Sequence, residues 1–105
     1  MVGGTEVSEA QDFYDAVKRQ YDALREEAAD EGEVAVMRYH TPAGREIKVG
    51  TLRLVPGENT ITIFGEDDHA TPHIIVVSAQ NAHVILQLVP EDKASPSDRR
   101  PIGFT

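Results

Sequence analysis

The apolar positions divide the chain into one helical stretch followed by a series of short strands. Phe13, Val17, Tyr21, Leu24 and Ala28 recur at helical spacing and make one apolar stripe. Ser8 followed by Gln11 has the pattern of a capping box, Glu9 and Asp12 suit the positive end of the helix dipole, and Gly32 suits a stop. Together these predict a helix over residues 8–30. From Glu33 the period becomes two. Residues 34–41 alternate and are rich in strand formers, and Thr41-Pro42-Ala43-Gly44 reads as a turn. Residues 45–55 carry Ile47 and Val49 in one phase, then Leu52 and Leu54 in the other. The slip falls at Gly50, as a bulge or sharp bend would place it.

Val55-Pro56-Gly57-Glu58 has the signature of a type II turn, with glycine where φ must be positive. A third strand is expected over 59–65, with Ile61 and Ile63 on one face, and a polar loop over 65–72. Residues 73–78 hold the uninterrupted run Ile74-Ile75-Val76-Val77, the mark of a strand buried on both faces or lying at an interface. After a short turn at 79–82, the last strand covers 83–89, with Val84, Leu86 and Leu88 in phase and Pro90 ending it. The expected fold class is α+β: an N-terminal helix, then a strongly bent five-stranded antiparallel meander. A bulge and short turns predict a small closed or partly open barrel. Residues 8–90 make the single domain, with 1–7 and 91–105 as flexible ends. Ile102 and Phe104 are the tail residues able to dock.

Composition narrows the chemistry. The 105 residues suit one domain, and 40% hydrophobic with 27% charged residues reads as globular. There is no cysteine, which excludes disulfides, thiol catalysis and thiolate metal sites. No apolar run approaches the ~20 residues of a membrane helix, and Met1 to Thr5 lacks the order of a signal peptide. The expected compartment is the cytoplasm. The net charge of −8 is unevenly placed. Residues 1–33 carry ten acids against Lys18, Arg19 and Arg25, whereas residues 34–90 carry five acids against four bases. Acids crowd the negative end of the helix (Glu26, Glu27, Asp30, Glu31), where they cost a few tenths of a kcal/mol each, roughly. Either this is a solvated face, or it is a surface aimed at a basic partner.

Several residues in the meander resemble the Sm-like family. Gly44-Arg45-Glu46-Ile47, Gly50-Thr51-Leu52 and Asn59 are similar to its first motif, and the stretch from Val77 to Ile85, with Asn81 in place, is similar to its second. The similarity covers about residues 33–90 and implies a small Sm-like or SH3-like barrel. The spacing from Gly44 to Gly50 is one residue long and that from Gly50 to Asn59 about one short. The Arg-Gly pair of the second motif is replaced by Ser78-Ala79. That arginine helps hold a base in RNA-binding members, so the replacement argues against RNA at this site.

Carried over residue by residue, the resemblance makes Asn59, Asn81, Arg45 and Ser78 candidate ligand-binding residues. Both asparagines also have a plainer role, since asparagine is favoured in turns. Asp67, Asp68, His69 and His73 are the one group with metal-ligand chemistry, although their spacing fits no known metal motif and a solvated loop explains them too. Arg38, Arg45, Lys48 and Arg53 are the meander's bases. They are either scattered solvent-face charges or an anion site beside Asn59 and Asn81. His40 and His83 sit near strand ends with no motif tying them to an acid or nucleophile. No serine elbow or phosphate loop occurs, and no cofactor is implied. The expectation is a non-enzymatic binding module: an oligomeric small barrel that pairs through its edge strands and binds a partner protein or a small nucleotide-like ligand. General nucleic-acid binding is not expected. The rivals are an acidic inhibitor, such as an immunity or phage counter-defence protein, acting on a basic surface, and an RNA-binding Sm-like ring.

Overall fold

The structure, a computed structural model, describes residues 9–105. The expected start at Ser8, the capping box built on it and the N-terminal stretch 1–7 lie outside the described residues. Helix α1 (Glu9–Asp30) buries Ala10, Val17, Tyr21 and Ala28 and half-buries Phe13 and Leu24, so the apolar stripe faces the sheet. Gly32 ends it with φ +69°. No helix among the described residues is long and apolar enough to cross a membrane.

The strands are β1 (Glu33–His40), β2 (Glu46–Leu54), β3 (Thr60–Glu66), β4 (Pro72–Ser78), β5 (Ile85–Pro90) and β6 (Gly103–Phe104). The predicted turns hold. Gly44 donates to the Thr41 carbonyl with φ +85°, and Glu58 donates to the Val55 carbonyl around Gly57 at φ +87°. Consecutive strands from β1 to β4 pair antiparallel, and β5 returns to the free side of β1, giving the order β4-β3-β2-β1-β5. One face of the sheet carries Met37, Ile47, Leu52, Ile61 and Ile63, all fully buried, and α1 lies chiefly over β1. Truncating such a side chain to alanine costs ~2–5 kcal/mol, so this layer holds the domain together.

The barrel expectation is corrected: β4 and β5 are separate edges, and the sheet is open. β1 pairs with β2 only from Arg38 to His40, while Glu33 to Arg38 run beside β5. The far half of β2 would be left without a partner on that side. β6 takes the place, parallel to β2, with Thr51 opposite Gly103 and Leu52 opposite Phe104. The Leu54 N–H donates to the Thr105 carbonyl, and Thr105 N–H donates to that of Leu52. The bend in β2 thus admits a sixth strand instead of bringing β4 round to β5.

Residues 91–105, expected to form a flexible tail, pack back onto the domain. Phe104 meets Tyr14 edge-on at 5.7 Å between centroids and Tyr21 at 5.8 Å, and Ile102 N–H donates to the Tyr21 hydroxyl. The docking residues singled out in the sequence, Ile102 and Phe104, are the ones used.

The register between β2 and β3 shifts between Val49 and Thr51, where the phase slip places it. The glycine this geometry requires is nevertheless on the partner strand. A Cβ on Gly50 would meet nothing closer than the Phe64 carbonyl at 3.8 Å. A Cβ on Gly65 would overlap the Lys48 carbonyl and lie 2.6 Å from Ile47 Cγ2. Gly65 opposes Val49, so the bulge presses β2 backbone into the space a side chain would need.

The run Ile74–Val77 is not buried on both faces. Ile75 and Val77 turn inward and are half-buried, whereas Ile74 and Val76 are 69% and 65% exposed.

Candidate functional site

The candidate residues fall at two opposite ends of the sheet. At one end the β1–β2 turn, the β3–β4 loop and the turn at Ser95–Ser97 enclose an open groove of about 800 Å³. Three of the meander's four bases, Arg38, Arg45 and Lys48, line it together with Glu46, Glu66, Asp67 and Asp68. Each base has an acid beside it. Arg38 Nε lies 3.2 Å from Glu46, an Arg45 guanidinium nitrogen 3.7 Å from Asp67, and Lys48 Nζ 2.8 Å from Asp98.

Asp67 organises the β3–β4 loop. Its Oδ1 accepts from His69 N–H and Thr71 N–H, and its Oδ2 lies 3.0 Å from His73 Nε2. The His73 bond, joined by the two backbone donors, lowers its carboxyl to about 2. These bonds also support Ala70, the non-glycine residue at φ +62°. Such a conformation has a cost for a residue with a Cβ, and here the Asp67 carbonyl accepts from Ala70 N–H.

Lys48 anchors the C-terminal segment to the groove. Its ammonium donates to the Ser95 and Ser97 hydroxyls as well as facing Asp98. Burial pushes the Asp98 carboxyl up, but the Lys48 ammonium and the bonds from Ser95 together outweigh this and hold it below its usual range. The sequence showed no motif here. The signal was present only as Ser95-Pro96-Ser97-Asp98, a turn-forming stretch in which a serine hydroxyl and an aspartate exchange bonds with each other's backbone.

The other end holds Asn59, Ser78 and Asn81. Asn59 Oδ1 accepts from Ala10 N–H at 2.9 Å, so this side chain satisfies a donor in the first turn of α1 from 49 residues away. Asn81 donates to the Ser78 hydroxyl at 3.1 Å across the 3₁₀ turn Ala79–Asn81. Both asparagines make side-chain bonds of the kind that turn chemistry allows. The four expected ligand-binding residues therefore do not make one site: Asn59, Ser78 and Asn81 are neighbours, and Arg45 is at the far end with Asp67. The anion site expected beside Asn59 and Asn81 is corrected in the same way, because Arg38, Arg45 and Lys48 gather in the groove instead. Arg53 lies over the Phe64 ring, 4.7 Å from its centroid.

The metal candidates do not converge. Asp67 and His73 are bonded to each other, while Asp68 and His69 are 87% and 84% exposed. Among the described residues no three His, Cys, Asp or Glu side chains are grouped to hold an ion. His83 stacks on Tyr39 at 4.9 Å between centroids, with Nε2 3.2 Å from the His40 carbonyl and Nδ1 3.2 Å from that of Asn81. It joins the segment leading into β5 to the end of β1.

The groove offers paired charges of both signs and hydroxyls, and its lining also includes Ala43, Gly44 and Ala70. That chemistry suits polar recognition. Comparison with protein-family models, curated proteins and solved structures gives no match. The Sm-like resemblance accordingly rests on the sequence motifs alone.

Proposed function

We propose that the protein is a non-enzymatic binding module that assembles through its sheet edges and binds a polar partner, or a compact nucleotide-like ligand, in the groove. The observation that carries this is strand β4: it lies at the sheet edge with Ile74 and Val76 more than three-fifths exposed. Monomeric proteins guard such edges with charges. Residues 72–78 contain no Asp, Glu, Lys or Arg, and Pro72 guards only the first position. The groove is of ligand size, and its three bases, each paired with an acid, offer donors and acceptors to a compact polar ligand. Its acids and the net charge of −8 oppose a long polyanion. The absence of cysteine fits a cytoplasmic setting. The test is the native mass of the purified protein, with any co-purifying molecule identified. A monomer that retains nothing and takes up neither nucleotides nor a protein partner would sink this reading.

A second reading has its own observation. Asp22, Glu26, Glu27 and Asp30 along α1, and Glu31 just past its end, are exposed, and among the described residues none lies within ion-pair distance of a base. This suits an acidic inhibitor docking on a basic surface. Stoichiometric, salt-sensitive binding to a basic protein, lost when these acids are neutralised, would favour it over the first.

A further inference from the structure

We infer that the second occupant of the β4 edge is β4 of another copy, paired antiparallel about a two-fold axis at Ile75. This rests on the reading that the module self-assembles, and it names the edge, the register and the symmetry.

The backbone settles which groups are free. Asp67 N–H bonds the Thr71 carbonyl, and Ala79 N–H bonds that of Asn59. With the register Gly65–His73, Ile63–Ile75 and Ile61–Val77 between them, the odd-numbered residues of β4 exchange bonds with β3. In an antiparallel ladder the intervening residues point the other way. The N–H and C=O groups of Ile74, Val76 and Ser78 therefore face away from β3, with no strand beside them among the described residues. Pairing centred on Ile75 sets Ile74 opposite Val76 of the second copy and Val76 opposite Ile74. The unpaired backbone groups and the exposed apolar side chains belong to the same residues, so one contact satisfies both. On the same face, Phe64 stands opposite Ile74 and Thr62 opposite Val76, so the apolar surface continues inward from the joint.

Charge placement favours this contact over an antiparallel one between β4 and β5. Antiparallel pairing of β4 with β5 of another copy would set Glu66, Asp67 and Asp68 beside its Glu91 and Asp92. Pairing β4 with β4 sets that acidic loop beside the stretch Ser78–Asn81, which carries no charge. The helices obey the same logic. Each lies over β1, and in the β4 pair the two β1 strands are seven strand spacings apart, about 34 Å. Against a Debye length of about 8 Å at physiological salt, the acidic helices are well screened from each other. Pairing β5 with β5 would bring them to three spacings, about 14 Å, close to the width of a helix with its side chains. The two-fold contact also closes on itself, whereas a β4–β5 contact is head-to-tail and must continue into a ring or a filament.

The experiment is light scattering at micromolar concentration on the full chain, on Val76→Lys and on Leu88→Lys, which alters the β5 edge. Single cysteines at Ile75 or Leu88, unique in a chain without cysteine, are oxidised in parallel. The expected results are twice the 11.5 kDa chain mass for wild type and for Leu88→Lys, and the chain mass for Val76→Lys with unchanged circular dichroism. Ile75→Cys should cross-link into a dimer and Leu88→Cys should not, because the paired Ile75 residues would lie within disulfide reach. An oligomer that Leu88→Lys disperses and Val76→Lys leaves intact would overturn the β4 pairing while keeping self-assembly. A wild-type monomer would overturn both.

Discussion

Replacing Gly65 with alanine isolates the joint between β2 and β3. The added methyl would overlap the Lys48 carbonyl and stand 2.6 Å from Ile47 Cγ2. Neither neighbour can give way cheaply. The Lys48 backbone is paired on both sides, to Arg38 in β1 and Glu66 in β3, and Ile47 is fully buried. Overpacking of this kind costs ~1–3 kcal/mol. A domain of this size loses about 4–8 °C of melting temperature per kcal/mol, so Gly65→Ala should melt roughly 4–24 °C below wild type. Gly50→Ala is the control. Its φ is not left-handed and its nearest new contact is an ordinary 3.8 Å. Restricting the unfolded chain there should be neutral, or stabilising by about 0.4–1 kcal/mol. Thermal melts of the three proteins, followed by circular dichroism under one set of conditions, decide the matter. If Gly65→Ala melted with wild type, or Gly50→Ala proved the more damaging, the close approach would not lie where the structure places it.

Other outcomes follow from the same contacts. Asn59→Ala should lower stability by about 1 kcal/mol through loss of a cap, whereas Asn59→Asp, which keeps the acceptor and suits the helix dipole, should not; chemical denaturation compares them. Asp67 has its carboxyl held at about 2, below the ordinary ~3.9. Its bonds therefore stabilise the loop above pH ~4 and are lost as pH falls toward 2. In an NMR titration the His69 and Thr71 amide signals should move in that window, and Asp67→Asn should abolish the movement. Phe104→Ala should cost about 2 kcal/mol, less than a fully buried phenylalanine, and should change the fluorescence of Tyr14 and Tyr21. Labelled U-rich and A-rich oligonucleotides should show weak or no binding at near-physiological salt by anisotropy. Submicromolar, steeply salt-dependent affinity would instead support the RNA-binding ring.

The parts of the fold legible in the sequence were those specified by local pattern. The helical stripe, the alternating strands and the positive-φ glycines at turns each depend on near neighbours, so residue order alone reveals them. The bulge was legible too, since the phase slip between Val49 and Leu52 is a local signal. Its glycine was not, because whether a Cβ fits at Gly65 is decided by β2, some 15 residues away in sequence. The open sheet was illegible for a related reason. Closure depends on what fills the far half of β2, and a two-residue strand at the chain's end carries no periodicity. The candidate site suffered most. Asn59 and Asn81 read as turn residues before ligand-binding ones, and only tertiary contact showed Asn59 on the helix start. The grouping of Arg38, Arg45 and Lys48 came from hairpin geometry, which brings the β1–β2 turn against the β3–β4 loop.

Lys48 complicates any mutational dissection of the groove. Its backbone sits at the bulge against Gly65, and its side chain both lines the groove and holds Asp98, which is 8% exposed. Removing the ammonium would leave that carboxylate with its Ser95 bond but without its counter-charge, a penalty distinct from any lost ligand contact. The segment that Asp98 ties down leads directly to Ile102 and Phe104 and so to the helix. A Lys48 substitution would thus disturb β6 packing and ligand binding together, and a loss of function would not identify the groove. Arg45 is the cleaner probe. Its side chain is 61% exposed and its facing acid, Asp67, is already bonded by His73 and two backbone amides. Losing the guanidinium leaves Asp67 satisfied, so a binding defect in Arg45→Ala with an unchanged melt would report on the groove itself.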